Sequence, residues 1–127
     1  MPLYHIWFST KRRKRFLEGD VLDLTEQALR DIATEDGIDL LECKGVFDHV
    51  HLLLRCSSDD CLPGVMKALK GKSAYRIFRA APDLRLVAQT GHLWQRGYGW
   101  KHVDPAAEGT VRRYIRSQMD RLEKFDS

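Results

Sequence analysis

Residues 47–55 read Phe47-Asp48-His49-Val50-His51-Leu52-Leu53-Leu54-Arg55. On a strand alternate residues share a face, so Val50, Leu52 and Leu54 point one way and His49, His51, Leu53 and Arg55 the other. The Val/Leu/Leu face suits a core beneath helices. The opposite face presents two imidazoles whose Cβ atoms lie roughly 7 Å apart, two strand steps. Rings at that separation can converge on one metal ion or one phosphate. An H-x-H pair is equally compatible with two ordinary histidines on a half-exposed strand. Two ligands alone also make a poor metal site, since most take three or four from the protein or keep positions for substrate.

The flanking sequence sets this strand in a fold. Ile38 to Val46 precedes it as a second strand, with a tight turn near Phe47 and Asp48. Leu3 to Ser9 is a first strand running into a basic loop. Between them Leu24, Ala28, Leu29, Ile32 and Ala33 recur at helical spacing over Val21 to Glu35, with Asp20 as N-cap and Gly37 just past the end. A second helix is predicted from about Pro63 to Ala81, with Val65, Met66, Leu69, Ile77 and Phe78 as its apolar stripe. Residues 93–103 read as a broken strand or hairpin. Asp104-Pro105 then opens a last helix, predicted to run to about Lys124. Strand, helix, strand, strand, helix, strand is the order of an α+β, ferredoxin-like split βαβ sandwich: a mainly antiparallel sheet with two helices on one face. The extra C-terminal helix follows it.

The chain has 127 residues, 43% apolar and 31% charged, which fits one domain over residues 1–127 and disfavours disorder. No apolar run approaches the roughly 20 residues of a membrane span. The opening residues lack the pattern of a secretory signal, and three cysteines are unpromising for a disulfide framework, so a reduced cytoplasm is expected. Neither a P-loop nor a Gly-rich dinucleotide fingerprint is present, so no nucleotide cofactor is expected. Net charge is +3, but it is clustered. Lys11, Arg12 and Arg13 begin one basic run; Lys67, Lys70, Lys72 and Arg76 lie along the second helix. Such clusters form either phosphate-binding surfaces or solvated faces.

The last helix offers a third ligand. Ala107, Val111, Ile115, Leu122 and Phe125 form its stripe, and Tyr114 and Gln118 lie beside it one turn apart. A glutamine on a packing side needs partners for its amide. It could give a carbonyl oxygen to a metal held by His49 and His51, with Tyr114 one turn away as nucleophile. Tyr4, Tyr75 and Tyr98 are the rival tyrosines, and Tyr98, flanked by glycines, is the best of them.

"DHVHLLL" followed by "VRRYIRSQ" closely resembles the single-tyrosine HUH transposases of small bacterial insertion sequences, the IS200-like family that includes the REP-associated tyrosine transposases. HUH denotes histidine, hydrophobic residue, histidine, here His49-Val50-His51. The family's Tyr-Ile-x-x-Gln pattern is matched by Tyr114, Ile115 and Gln118, and "HIWFSTKRR", "LKGKSAYRIF" and "HLWQRGYGW" extend the likeness over nearly the whole chain. The resemblance implies a metal-dependent DNA transposase that cleaves and joins single-stranded DNA at hairpin-marked ends. Tyr114 would form a 5′-phosphotyrosine, with a free 3′-hydroxyl left behind. It implies Mg2+ or Mn2+ at His49, His51 and Gln118, a homodimer, and no membrane partner. The basic residues named above would track DNA, with Tyr98, Trp94 or Trp100 available for stacking.

Three other readings stay in view. One is a domesticated descendant that binds hairpin DNA or RNA without cleaving it. The second is an RNA-recognition module, which shares the split βαβ order but carries an aromatic pattern missing here. The third is a zinc protein using His49, His51, Cys56 and Cys61.

Overall fold

The first strand, over residues 3–9, and the histidine strand, over 49–55, each carry one apolar face and one mixed face, and the architecture follows from covering both. The computed structural model describes residues 1–89 and 91–118. The elements in order are β1 (Leu3–Ser9), α1 (Gly19–Glu35), β2 (Asp39–Val46), β3 (His49–Arg55), α2 (Leu62–Ala80), α3 (Leu84–Ala88), β4 (Gly99–Val103) and α4 (Glu108–Arg116). The sheet order is β2-β3-β1-β4 and every pairing is antiparallel, which is the ferredoxin-like arrangement. Tyr4, Ile6, Phe8, Val50, Leu52 and Leu54 pack under α1 and α2 against Leu29, Ile32, Leu69 and Ile77, all of them buried. On the other face a smaller cluster forms from Leu3, Leu53, Val103 and Ile115, with Leu41, Ala107 and Val111 against it. Helix α4 therefore lies across the sheet from α1 and α2.

Several local predictions are refined. Helix α1 starts two residues earlier than Val21, at Gly19, whose left-handed φ of 56° turns the chain into the helix; Asp20 sits in its first turn instead of capping it. Gly37 has the left-handed φ expected after the helix, 69°. Phe47 also has a left-handed φ, 51°, which closes the β2–β3 turn. The expected broken strand over 93–103 consists of an isolated bridge at Trp94 and strand β4 at residues 99–103. Trp94 bridges to Thr10, and its indole is buried against Phe8 with Nε1 donating to Ser73 Oγ at 3.0 Å. That burial removes Trp94 as a stacking surface.

Helix α4 is followed by a turn at Ser117 and helical backbone again at Gln118; the remainder of the predicted run to Lys124, with Leu122, and Phe125 beyond it, lies outside the described residues. At the break Ser117 Oγ and Gln118 Nε2 both donate to the Tyr114 carbonyl at 3.2 Å, side-chain bonds that compete with the helical ladder. Cys56 and Cys61 are joined in a disulfide, their Cα atoms 6.5 Å apart across a short helical turn, contrary to the expectation of reduced thiols. An odd count says nothing about a local pair, and Cys43 is left free and buried. With both sulfurs so engaged, the zinc reading loses two of its four ligands.

Candidate active site

The mixed face of the sheet is set by the strand register. Trp7 lies opposite His51, Ser9 opposite His49 and His5 opposite Leu53. His5, His49 and His51 therefore share one face with Trp7, and Lys101 of β4 sits beside His5. The His49 and His51 rings are 5.0 Å apart and those of His5 and His51 5.2 Å apart. Nε2 of His5 lies 3.0 Å from Nδ1 of His51. Burial pulls His5 down to about 4, with Lys101 adding to the effect. His51 also falls to about 4, through burial first and then its neighbours His49 and His5. Both rings are thus neutral near pH 7.

His49 has a different partner. Its Nδ1 donates to Asp48 Oδ1 at 2.8 Å, while Asp48 Oδ2 accepts from Arg13 Nε at 2.9 Å. Burial would raise the Asp48 pKa, but the bonds from His49 and Arg13 outweigh it and hold the carboxyl below its usual range. Arg12 and Arg13 both have left-handed φ, 59° and 55°, a conformation costing about 1–2 kcal/mol for a residue with a Cβ. The Arg13 contacts to Asp48 and Ser9 hold that turn against the strain.

Helix α4 brings the tyrosine. Arg55 NH2 donates to Glu108 at the start of the helix, and Ile115 packs on Leu53, so α4 runs along β3 from its Arg55 end toward His49. Tyr114 consequently stands with its ring 6.2 Å from His5 and 6.3 Å from His51, and it is 40% exposed. Gln118 follows one turn later, only 8% exposed, with its Nε2 donating to the Tyr114 carbonyl at 3.2 Å. A clamp fixes the helix. Buried Glu42 of β2 accepts from Arg112 Nε at 3.0 Å and pairs with Arg116 at 2.5 Å. Burial alone would raise its pKa, but the two guanidinium groups prevail and lower it.

The other tyrosines are placed elsewhere. Tyr4 is buried with its hydroxyl on Asp59 at 2.6 Å, and burial together with that bond raises its pKa to about 12. Tyr75 is exposed beside Arg79 on α2, and Tyr98 packs at the edge of the main core.

The predicted DNA contacts divide into two groups. Lys70 Nζ donates to the carbonyls of Gln95 and Gly97 at 2.8 and 2.6 Å. Lys72 pairs with Asp36, and Arg76 with Glu35, tying α2 to the end of α1. Each of those three cations has a partner within the fold. Lys11, Lys67 and Lys70 line a groove of about 1150 Å³ between α2 and residues 91–98, shared with Tyr98, Arg85 and Arg96. The sequence reading missed His5, Asp48 and Glu42. His5 had a signal, since it alternates with Trp7 on β1 as His49 does with His51.

Comparison with known proteins agrees with this arrangement. The family described as "Transposase IS200 like" matches residues 2–118. ISDra2 transposase TnpA of Deinococcus radiodurans is 37% identical, covering 93% of this chain and 84% of that protein. The transposase for insertion sequence element IS200 of Salmonella typhimurium is 29% identical, covering 92% of this chain and 76% of that protein. A crystal structure of a Deinococcus radiodurans transposase superposes with a TM-score of 0.75 at 36% identity, covering 93% of this chain and 92% of that one. A REP-associated tyrosine transposase bound to a REP hairpin shares the fold at a TM-score of 0.66 and 11% identity, over 95% of this chain and 68% of that one. Among the described residues no helix is long and apolar enough to cross a membrane. The chain belongs to the IS200-like transposase family.

Proposed function

We propose that this transposase cleaves and rejoins single-stranded DNA, with Tyr114 as nucleophile and His49, His51 and Gln118 holding Mg2+ or Mn2+. The observation that carries this reading is the placement of the Tyr114 ring against His5 and His51 by helix α4. The donors suit a divalent cation: two neighbouring imidazoles, each with Nδ1 engaged by a neighbour, leave two Nε2 atoms to bind with. Among the described residues no three His, Cys, Asp or Glu side chains form a metal cluster, so an amide is the natural third donor. When bound, the ion supplies Lewis-acid stabilisation of the phosphate.

The rest is done by the protein. Helix α4, fixed through Glu42, presents the Tyr114 hydroxyl, whose oxygen attacks phosphorus while the P–O3′ bond breaks. Tyrosine, having lost its hydroxyl proton to solvent, then carries the 5′-phosphate, and the departing 3′-oxygen takes up a proton from solvent to become a hydroxyl. The linkage stays a phosphodiester, so attack by a new 3′-hydroxyl reseals the strand without a nucleotide. Hairpin-marked single-stranded DNA is the proposed substrate, with Lys11, Arg12, Arg13 and Lys67 on its phosphates and Tyr98 available at the groove wall. The REP hairpin held by the structural neighbour supports that choice. Homodimeric assembly belongs to the same proposal and is measured by sedimentation.

The test mixes the protein with single-stranded DNA from both flanks of its own gene and either metal. A covalent adduct on a denaturing gel, lost on chelation and in Tyr114→Phe, is the expected result. An adduct that survives Tyr114→Phe contradicts the assignment. Tight, metal-independent hairpin binding with no adduct would point to a non-cleaving binding protein.

A further inference from the structure

We infer that His5 and Asp48 are positioning residues that fix the tautomers of His51 and His49, holding both Nε2 lone pairs toward the metal site; this rests on the metal reading above. Ionised Asp48 can only accept, so the ring nitrogen 2.8 Å from it, His49 Nδ1, carries the proton. A neutral imidazole has one N–H, which leaves His49 Nε2 as a lone pair. Arg13 binds the second Asp48 oxygen at 2.9 Å and so fixes the carboxylate plane.

His51 has an imidazole in the same role. Between its Nδ1 and His5 Nε2, 3.0 Å apart, one nitrogen donates and the other accepts. Donation by His51 leaves its Nε2 a lone pair, as in His49. The reverse direction would put a hydrogen on His51 Nε2 and remove a ligand. His5 is only 5% exposed, and Trp7 packs edge-on against its ring with centroids 5.3 Å apart, so its Nε2 is held beside His51 Nδ1. The two acceptors come from separate parts of the chain, β1 and the β2–β3 turn, yet they perform one task on the two histidines. Partners of this kind in metal sites typically change affinity by about 10- to 100-fold when removed.

The first experiment needs no variant. Long-range 1H–15N correlation spectra of 15N-histidine-labelled, metal-free protein near pH 7.5 report which ring nitrogen carries the proton. The expected result is Nδ1–H on both His49 and His51, with the proton of His5 on its own Nδ1. A proton on His51 Nε2 overturns the assignment. Mn2+ titration followed by EPR is the second readout. His5→Phe and Asp48→Ala should weaken Mn2+ binding about 10- to 100-fold and release the respective tautomer. His5→Gln and Asp48→Asn retain a carbonyl acceptor and should recover most of the affinity. Unchanged tautomers and affinity in folded His5→Phe and Asp48→Ala proteins would overturn the inference. Nδ1–H tautomers in a wild-type protein that binds no Mn2+ would uphold the positioning roles and reject the metal reading. Mn2+ binding with His51 protonated at Nε2 would do the opposite.

Discussion

Replacing Glu42 with glutamine should undock the tyrosine helix without unfolding the sheet. Glu42 is 6% exposed and is the meeting point of Arg112 and Arg116, both on α4. Charge-assisted hydrogen bonds contribute about 1.5–3 kcal/mol each. The loss will be smaller than their sum, because the substituted amide keeps one acceptor, Arg112 retains Glu108 at 3.4 Å, and the Arg116 side chain, 60% exposed, can return to water. A net cost of about 2 kcal/mol on α4 docking is the result, roughly a thirtyfold rise in its opening equilibrium. The remaining anchors, the Arg55–Glu108 pair and Ile115 with Val111 and Ala107 on Leu3, Leu53 and Val103, are small beside the main core, so the opening should stay local. Hydrogen exchange read by mass spectrometry should show residues 112–117 exchanging roughly thirtyfold faster, with β1 and β3 much less affected. The same sign governs pH. The folded pKa of Glu42 lies below its ordinary 4.5, so its contribution is complete above that value and is lost as pH falls through the lowered one. Equal acceleration in α4 and in β1 and β3 would show that Glu42 stabilises the whole fold, and no acceleration would show that the clamp is inert; either refutes the reasoning.

His5 and His51 fall from 6.5 to about 4 on folding, so the unfolded chain binds more protons between those values and stability declines as pH drops from 6.5 toward 4. After allowance for solvent screening the pair should account for roughly 3 kcal/mol, read by urea denaturation at pH 7 and 4.5; a pH-independent difference between wild type and His5→Phe would contradict it. Gly99→Ala should displace Trp7, because a Cβ there would stand 2.2 Å from the indole ring; a loss of about 1–3 kcal/mol with a shifted tryptophan emission is expected, and an unchanged spectrum would refute the contact. Lys70→Met should remove both hydrogen bonds to the Gln95 and Gly97 carbonyls and cost about 1–3 kcal/mol, with faster proteolysis in residues 91–98. Unchanged cleavage there would show that the lysine does not hold the loop.

Period-two alternation was enough to separate Val50, Leu52 and Leu54 from His49 and His51, and helical spacing was enough to put Ile115 on the sheet with Tyr114 and Gln118 beside it. Both are properties of one element and need no knowledge of its neighbours. What escaped the sequence depends on pairing between elements. His5 matters because β1 lies against β3 in a register that sets Trp7 opposite His51, and no local pattern fixes that register. Glu42 is an ordinary strand residue until α4 arrives with two arginines. Lys72 and Arg76 read as a basic face, but their partners Asp36 and Glu35 belong to a different helix. The turn at Ser117 comes with Ser117 and Gln118 side chains bonding the Tyr114 carbonyl, a competition that propensity does not reveal.

The central claim is that Tyr114 becomes covalently attached to DNA. The most direct measurement traps the adduct with a single-stranded substrate and Mn2+, digests protein and DNA, and locates the nucleotide-bearing peptide by mass spectrometry. The account predicts a 5′-phosphonucleotide on Tyr114 and a free 3′-hydroxyl on the released strand. A nucleotide found on Tyr98 or any other residue, or a 3′-phosphotyrosine linkage at Tyr114, would contradict it.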